Sequence, residues 1–274
     1  MTTAPGYQQT RVLVTVKTYP HPSVGSVELV CCAGITSDFD LIRIYPVDFR
    51  YRPKPQQFAK YQWIEVDLAP RPRNKDWRKE SRQPLLGTLT LCEKIGTGPR
   101  SSWAKRADIV DRVPHHTVQQ LRALHDGDGT SLGIVRPSEV LDLEASKCSD
   151  RWSAKEELAL SQVNLFGQRP KPLHKIPYTF RYVFKCDDDI EPNRCTLTDW
   201  EMGMLFLNQR ARHNEATAIQ HVREQFLEKM CAPDRDTRFF VGTMLPRNAW
   251  LVLGVFRPKR VGSGLARDQT SSEA

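Results

Sequence analysis

"RVLVTVKTYPHPSVGSVELVCCAGITSDFDLIRIYPV", residues 11–47, decides the fold class. Within it "RVLVTVKT" (11–18), "VELVCCAGI" (27–35) and "LIRIYPV" (41–47) are β-branched or alternating, and the turn formers "YPHPSVG" and "TSDFD" separate them. Beyond the proline-rich "RPKPQQ" the pattern continues in "QWIEVDL" (62–68) and "LGTLTLCEKI" (86–95). Side chains alternate across a strand, so Ile64, Val66 and Leu68 share one face and Trp63, Glu65 and Asp67 the other. Five short strands with such punctuation predict a small bent β-sheet or partly open barrel.

The pattern changes after residue 95. "SSWAKRADIVDRV", "TVQQLRALHDG", "PSEVLDLEAS" and "SAKEELALSQVNLF" read as short helices, the last opened by a Ser153/Glu156 capping box. "GQRPKPLHKIP" reads as an extended linker. "YTFRYVFKC", "DWEMGMLFLNQRAR", "EATAIQHVREQFLEKM", "TRFFVGTM" and "AWLVLGVF" then give a β-α-α-β-β order, with a hairpin across "LPRN". In the second of these helices Ile219, Val222, Phe226 and Met230 form an apolar stripe. The expected class is α+β. The expected division is a β-rich domain with a basic loop (1–95), a helical connecting region (96–169), an α+β domain (170–258) and a disordered tail (259–274). No internal repeat is visible.

Composition limits the function. The chain has 274 residues, 39% hydrophobic and 26% charged, without an apolar run of the roughly 20 residues that crosses a bilayer. "MTTAPGYQQT" has neither the basic region nor the apolar stretch of a secretory signal. Seven cysteines at irregular spacing, with no C-x-x-C pair, fit a reducing compartment and speak against disulfides and zinc ribbons. A cytoplasmic protein that does not associate with membranes is expected.

The net charge of +8 is concentrated. Between Arg43 and Arg112 stand 16 Lys or Arg against 8 Asp or Glu, a difference equal to that of the whole chain. Its densest part is "PRPRNKDWRKESRQP" (70–84), where Arg71, Arg73, Lys75, Arg78, Lys79 and Arg82 surround Trp77. Cations interleaved with an aromatic suit a polyanion whose bases stack, and these seven residues are the expected nucleic-acid contacts. Tyr51, Tyr61 and Trp103 add aromatics to the wider basic region.

"CDDDIEPNRCTLTDWE" (186–201) is the most site-like run. Cys186, Cys195, Asp199 and Glu201 are its weak metal candidates, because thiolates and carboxylates are the right ligand types. Eight residues separate the cysteines, and no histidine falls in the run, which is not the usual spacing of a zinc site. The structural reading is an acidic turn followed by a helix start, with Thr198 as N-cap, Glu201 completing a capping box, and Trp200, Met204, Leu207 and Ala211 facing the core. The remaining motifs carry less. No nucleophile motif accompanies the histidines, "DGDGTSLG" lacks the closing Glu of a calcium loop, and no Gly-Lys-Ser/Thr follows it.

"KTYP" (17–20), "ELVCCAGI" (28–35), "RIYPVDFR" (43–50) and "KYQWIEV" (60–66), with "KPLHKIPYTFRYVFKC" and "DWE" downstream, resemble an uncharacterised bacterial protein family. The resemblance spans most of the chain. It implies a bacterial, cytoplasmic, two-part protein and assigns no site. The expectation is a nucleic-acid-binding accessory protein without its own catalysis or cofactor, whose C-terminal domain meets a protein partner or a second copy. The alternatives are a metal-dependent nuclease or phosphodiesterase centred on Cys186–Glu201, and an interaction module of a larger assembly.

Overall fold

The computed structural model describes residues 4–23, 27–70, 76–162, 172–244 and 249–260. The first half comprises β1 (Gln8–Lys17), β2 (His21–Ser23), β3 (Val27–Thr36), β4 (Leu41–Val47), β5 (Gln62–Pro70) and β6 (Ser81–Lys94). Their order is β1-β5-β6-β4-β3, and β1 pairs β3 as well, so five strands close a barrel. Every pairing in the ring is antiparallel except β4 with β6. This is the Greek-key barrel of the OB type. Register shifts put extra residues in β1, β4 and β6, and these bulges supply the curvature that closure needs. Gly34 lies where β3 crosses β1: a Cβ there would come within 2.3 Å of the Leu13 carbonyl oxygen, so only glycine permits the approach.

The second half comprises α1 (Ala104–Val110), β7 (His115–His116), α2 (Val118–Asp128), β8 (Leu132–Val135), β9 (Glu139–Lys147), α3 (Ala154–Ser161), β10 (Tyr178–Lys185) and β11 (Asn193–Thr196). There follow α4 (Trp200–Arg210), α5 (Glu215–Arg223) with a π-helical turn at Glu224–Lys229, β12 (Arg238–Met244) and β13 (Ala249–Phe256). β8 and β9 act as one strand bent at Arg136–Ser138: the first part pairs β12 and the second pairs β10. β10 pairs β11, β12 pairs β13, and a parallel bridge from Leu197 to Val252 joins the end of β11 to β13. The ring order is that of the first barrel, again with a parallel third and fifth strand. The chain is thus a structural repeat of one Greek-key barrel, which the sequence does not display.

Several expectations change. "PSEVLDLEAS" forms β9, not a helix. A bulge between Val183 and Phe184 leaves Leu141 unpaired and exposed, so buried Leu143 follows half-buried Val140 at a helical spacing of three. The stretch 96–169 therefore holds α1, α2 and α3 but also β8 and β9. In α4 the buried residues are Met202, Gly203 and Phe206, while Met204 and Ala211 are exposed. Trp200 instead turns toward the first barrel, 5.5 Å from the Phe49 ring centroid. The expected tail falls almost wholly outside the described residues, as do "LPRN" and part of the expected linker.

Among the described residues three cores hold the molecule. Val12, Val14, Ile42, Ile44, Ile64 and Val66 fill the first barrel, and Phe180, Tyr182, Phe184, Phe206, Phe239 and Val252 the second. Leu13, Val16, Ala33 and Ile35 meet Leu132, Ile134, Phe240, Leu251 and Leu253 in a seam between the barrels. This explains why β1 and β13 read as continuous apolar runs: one face lines a barrel and the other lines the seam. No helix among the described residues is long and apolar enough to cross a membrane.

Candidate functional site

The basic run of residues 70–84 covers the connection from β5 to β6 (71–80), the fourth and fifth strands of the first barrel, and the first four residues of β6. Arg71, Arg73 and Lys75 lie outside the described residues. From Asp76 to Glu80 the chain alternates: Asp76, Arg78 and Glu80 are buried, Trp77 and Lys79 exposed. The Arg78 guanidinium donates to both Asp76 carboxylate oxygens at 2.8 Å, and its Nη1 donates to the Thr243 carbonyl at 2.8 Å. Burial alone would raise the Asp76 pKa, but the Arg78 hydrogen bonds outweigh it and hold the carboxyl below its usual range. Glu80 accepts from Ser131 N at 3.0 Å and from Ser131 Oγ at 2.7 Å, while Arg43 Nη2 donates to the Ser131 carbonyl at 2.9 Å. The loop is therefore fastened to the second barrel by its buried residues. Arg78, expected among the nucleic-acid contacts, is consumed within the fold.

Trp77 is 44% exposed. One side of its ring rests on the His125 imidazole, with centroids 4.8 Å apart, and on Gly129, the left-handed C-cap of α2. A Cβ at Gly129 would approach the indole to 3.2 Å. Lys79 pairs with Asp128 at 2.5 Å on the surface, and hydrogen bonds from Lys79 and Thr130 pull the Asp128 pKa down to about 2. Arg82, half-buried, donates to the carbonyls of Lys79 and Ser81. The other expected stackers are not on the surface. Tyr51, Tyr61 and Trp103 are each buried to 7% exposure or less, and Tyr61 and Trp103 sit edge to face under the Arg106 guanidinium. Their aromatic content was legible in the sequence, but their orientation was not.

The run from Cys186 to Glu201 separates into two places. The Cys186 sulfur and the Asp188 and Asp189 carboxylates lie within 4.8 Å of one another. Asp188 accepts from Thr117 Oγ1 at 2.5 Å, and Asp189 accepts from Cys186 N at 2.7 Å and from Asn193. The Asp189 bonds close the turn, and the Asp188 bond ties it to the start of α2. Cys195 is not in this group and lies in the second core, as Cys186 does. Burial pushes the Cys186 thiol up to about 12 and the Cys195 thiol to about 11, so both are protonated at neutral pH.

At the other end the N-cap of α4 is Asp199, one residue later than the sequence suggested. Its carboxylate accepts from Glu201 N at 2.7 Å and Met202 N at 3.4 Å. Thr198 is drawn away because its N–H donates to the Val252 carbonyl at 3.0 Å and its carbonyl accepts from Tyr19 N at 2.8 Å. Asp199 is paired with Lys60 of the first barrel, and Lys60 Nζ also lies 3.3 Å from the Glu201 carboxylate. Burial opposes charge on Lys60, yet the two carboxylates raise its pKa above the usual value. Asp199 and Glu201 thus hold a lysine, not a metal. Lys60 stands 139 residues from Asp199 in sequence, and no local signal marks the pairing.

Comparison with known proteins adds a family. The family described as "Domain of unknown function (DUF8757)" matches residues 114–273, and "Domain of unknown function (DUF8758)" matches residues 8–112. The two ranges follow the two barrels. No curated protein matches. Among solved structures the tetrameric p202 HIN2 aligns over 94% of this chain and 97% of that one, at 7% identity and a TM-score of 0.31. A score that low carries no argument.

Proposed function

The chain belongs to the DUF8757 family, and we propose that it is a nucleic-acid-binding protein whose contact region is the β5–β6 connection of its first barrel. The observation that carries the reading is the position of the charge. OB-type barrels take oligonucleotides or oligosaccharides on their second and third strands and on the loops after the first and fourth strands. Here the densest cationic run of the chain falls on the connection after the fourth strand, with Arg71, Arg73, Lys75 and Lys79 besides the committed Arg78, and Arg82 follows at the start of β6. A polyanion fits that charge and a neutral sugar does not.

The strand face of the first barrel is unavailable for this purpose. Ala33, Ile35 and Arg43 of its second and third strands are buried against the second barrel. That leaves the loop end. The metal-dependent alternative gains no support, since Asp199 and Glu201 are committed to Lys60 and the carboxylates of the Cys186 turn are hydrogen-bonded to Thr117, Cys186 N and Asn193. Bacterial origin and a cytoplasmic location remain part of this proposal.

The test is a five-fold replacement, Arg71, Arg73, Lys75, Lys79 and Arg82 to Ala, with Arg78 kept because it is structural. Binding of a labelled oligonucleotide is followed from 50 to 300 mM salt. Each phosphate of a single strand that is no longer neutralised makes the slope of log K against log salt shallower by about 0.7. The proposal expects weaker binding and a shallower slope, and it fails if both are unaltered.

A further inference from the structure

Resting on that reading, we infer that Trp77, Lys79 and Met244 form one composite surface, shared by the two barrels, that stacks an unpaired base of single-stranded nucleic acid. The first observation is the cost at which Trp77 is kept outward. Both its sequence neighbours are buried and anchored: Asp76 and Arg78 form a two-pronged pair, and Arg78 reaches the Thr243 carbonyl in β12. Lys79 N adds a bond to the Gly129 carbonyl at 3.3 Å. Pinned on both sides, the segment leaves Trp77 outward, and the turn that Ser81 N closes on the Arg78 carbonyl at 3.1 Å leaves Lys79 outward as well. An indole is ordinarily valuable in a core, and the other tryptophans with described positions are buried or half-buried.

The second observation is preorganisation. Trp77 has a fixed backing of His125 and Gly129 behind one part of its ring, while the rest is open to solvent. His125 is itself held, since its Nδ1 lies 2.7 Å from the Thr130 carbonyl and its ring meets Trp250 at 6.0 Å. A rigid half-exposed ring loses little freedom when a base settles on it.

The third observation is the neighbour from the other barrel. Arg78 binds the carbonyl of Thr243, and the next residue, Met244, is 49% exposed at the end of β12. The connection between the fourth and fifth strands of the first barrel therefore meets the end of β12 in the second at Arg78. Met244 is thus one residue from the atom that anchors Arg78, and a polarizable thioether, an indole and an ammonium group together suit a base with its phosphate. Lys79 reaches a phosphate by exchanging Asp128, a surface pair in which both side chains are about half exposed. A duplex offers no free base face, so the surface discriminates for unpaired strands.

The experiment uses the full chain with a 20-nucleotide poly-thymidine strand and a 20-base-pair duplex at 100 mM salt. Trp77→Ala is expected to weaken strand binding about tenfold or more, with the duplex changed by less than about twofold. Trp77→Phe should recover most of the loss. Met244→Ala, at an exposed position, should weaken the strand a few-fold at unchanged melting temperature. Independently of any variant, bound strand should shield the wild-type tryptophan emission from acrylamide. Equal loss for strand and duplex, or no loss with Trp77→Ala and no shielding, overturns this inference while leaving the nucleic-acid reading intact. Wild-type protein that binds neither probe overturns both.

Discussion

Replacing Asp199 by Ala removes two things at once. The N-cap of α4 loses an acceptor for Glu201 N and Met202 N, which costs about 1 kcal/mol. Lys60, with a side chain only 10% exposed, loses its nearest counter-charge. Stranding one member of a buried pair costs about 3–5 kcal/mol, and the lower end applies because the Glu201 carboxylate remains 3.3 Å away. The expected loss is about 4 kcal/mol. Asp199→Asn keeps a cap acceptor and should cost visibly less. Thr198→Ala should cost under about 0.5 kcal/mol, because the Thr198 hydroxyl has only a 3.5 Å contact with the Val252 carbonyl. The pair Lys60→Met with Asp199→Asn should recover much of the single-variant loss, since a buried ion pair contributes little net stability over a neutral replacement. The assay is urea unfolding at pH 7, monitored by far-ultraviolet circular dichroism. A loss below about 1 kcal/mol for Asp199→Ala, or an equal loss for Thr198→Ala, would refute the assignment of the cap and of the latch between barrels.

Other expectations follow from the same contacts. Arg78→Ala takes the guanidinium away from buried Asp76 and breaks the bond to the Thr243 carbonyl, so it should lower stability by about 3 kcal/mol while leaving the salt slope of binding unchanged, the opposite of the exposed-cation variant. Gly34→Ala should prevent the first barrel from closing, seen as loss of soluble folded protein, because the backbone of β1 occupies the space of the added methyl. Alkaline pH should unfold the protein early. Burial raises Cys186 and Cys231 to about 12, Cys195 to about 11 and Tyr19 to about 12, so the unfolded chain releases these protons first. Stability from these groups is present below pH 9 and declines between pH 9 and 12, which urea midpoints at pH 8 and pH 10 would reveal.

The strands of the first barrel were legible in the main because β-branched runs and turn residues mark them, but β6 begins at Ser81, inside the stretch read as basic loop, and Asp67, read as outward, is buried. The second barrel was hidden for three physical reasons. Its first strand is bent at Arg136–Ser138, the β9–β10 bulge disguises "PSEVLDLEAS" as a helix, and the helical pair α4–α5 stands where the first barrel has only 3-10 turns at Phe49–Tyr51 and Lys54–Gln56. The basic loop was legible as charge, but the inward role of Arg78 depends on Thr243, 165 residues away. Placing the cap at Thr198 failed because the hydrogen bonds to Tyr19 and Val252 are tertiary. Local rules located the helix start to within one residue, and long-range pairing chose the residue.

The central claim is that the loop end of the paired barrels takes nucleic acid. Fluorescence anisotropy of a labelled 20-nucleotide strand, titrated with the full chain at 50, 100, 200 and 300 mM salt, tests it most directly. With about four to six phosphates neutralised, log K should fall with log salt at a slope of about −3 to −4. Binding that ignores salt, or no binding at 50 mM, would contradict the account.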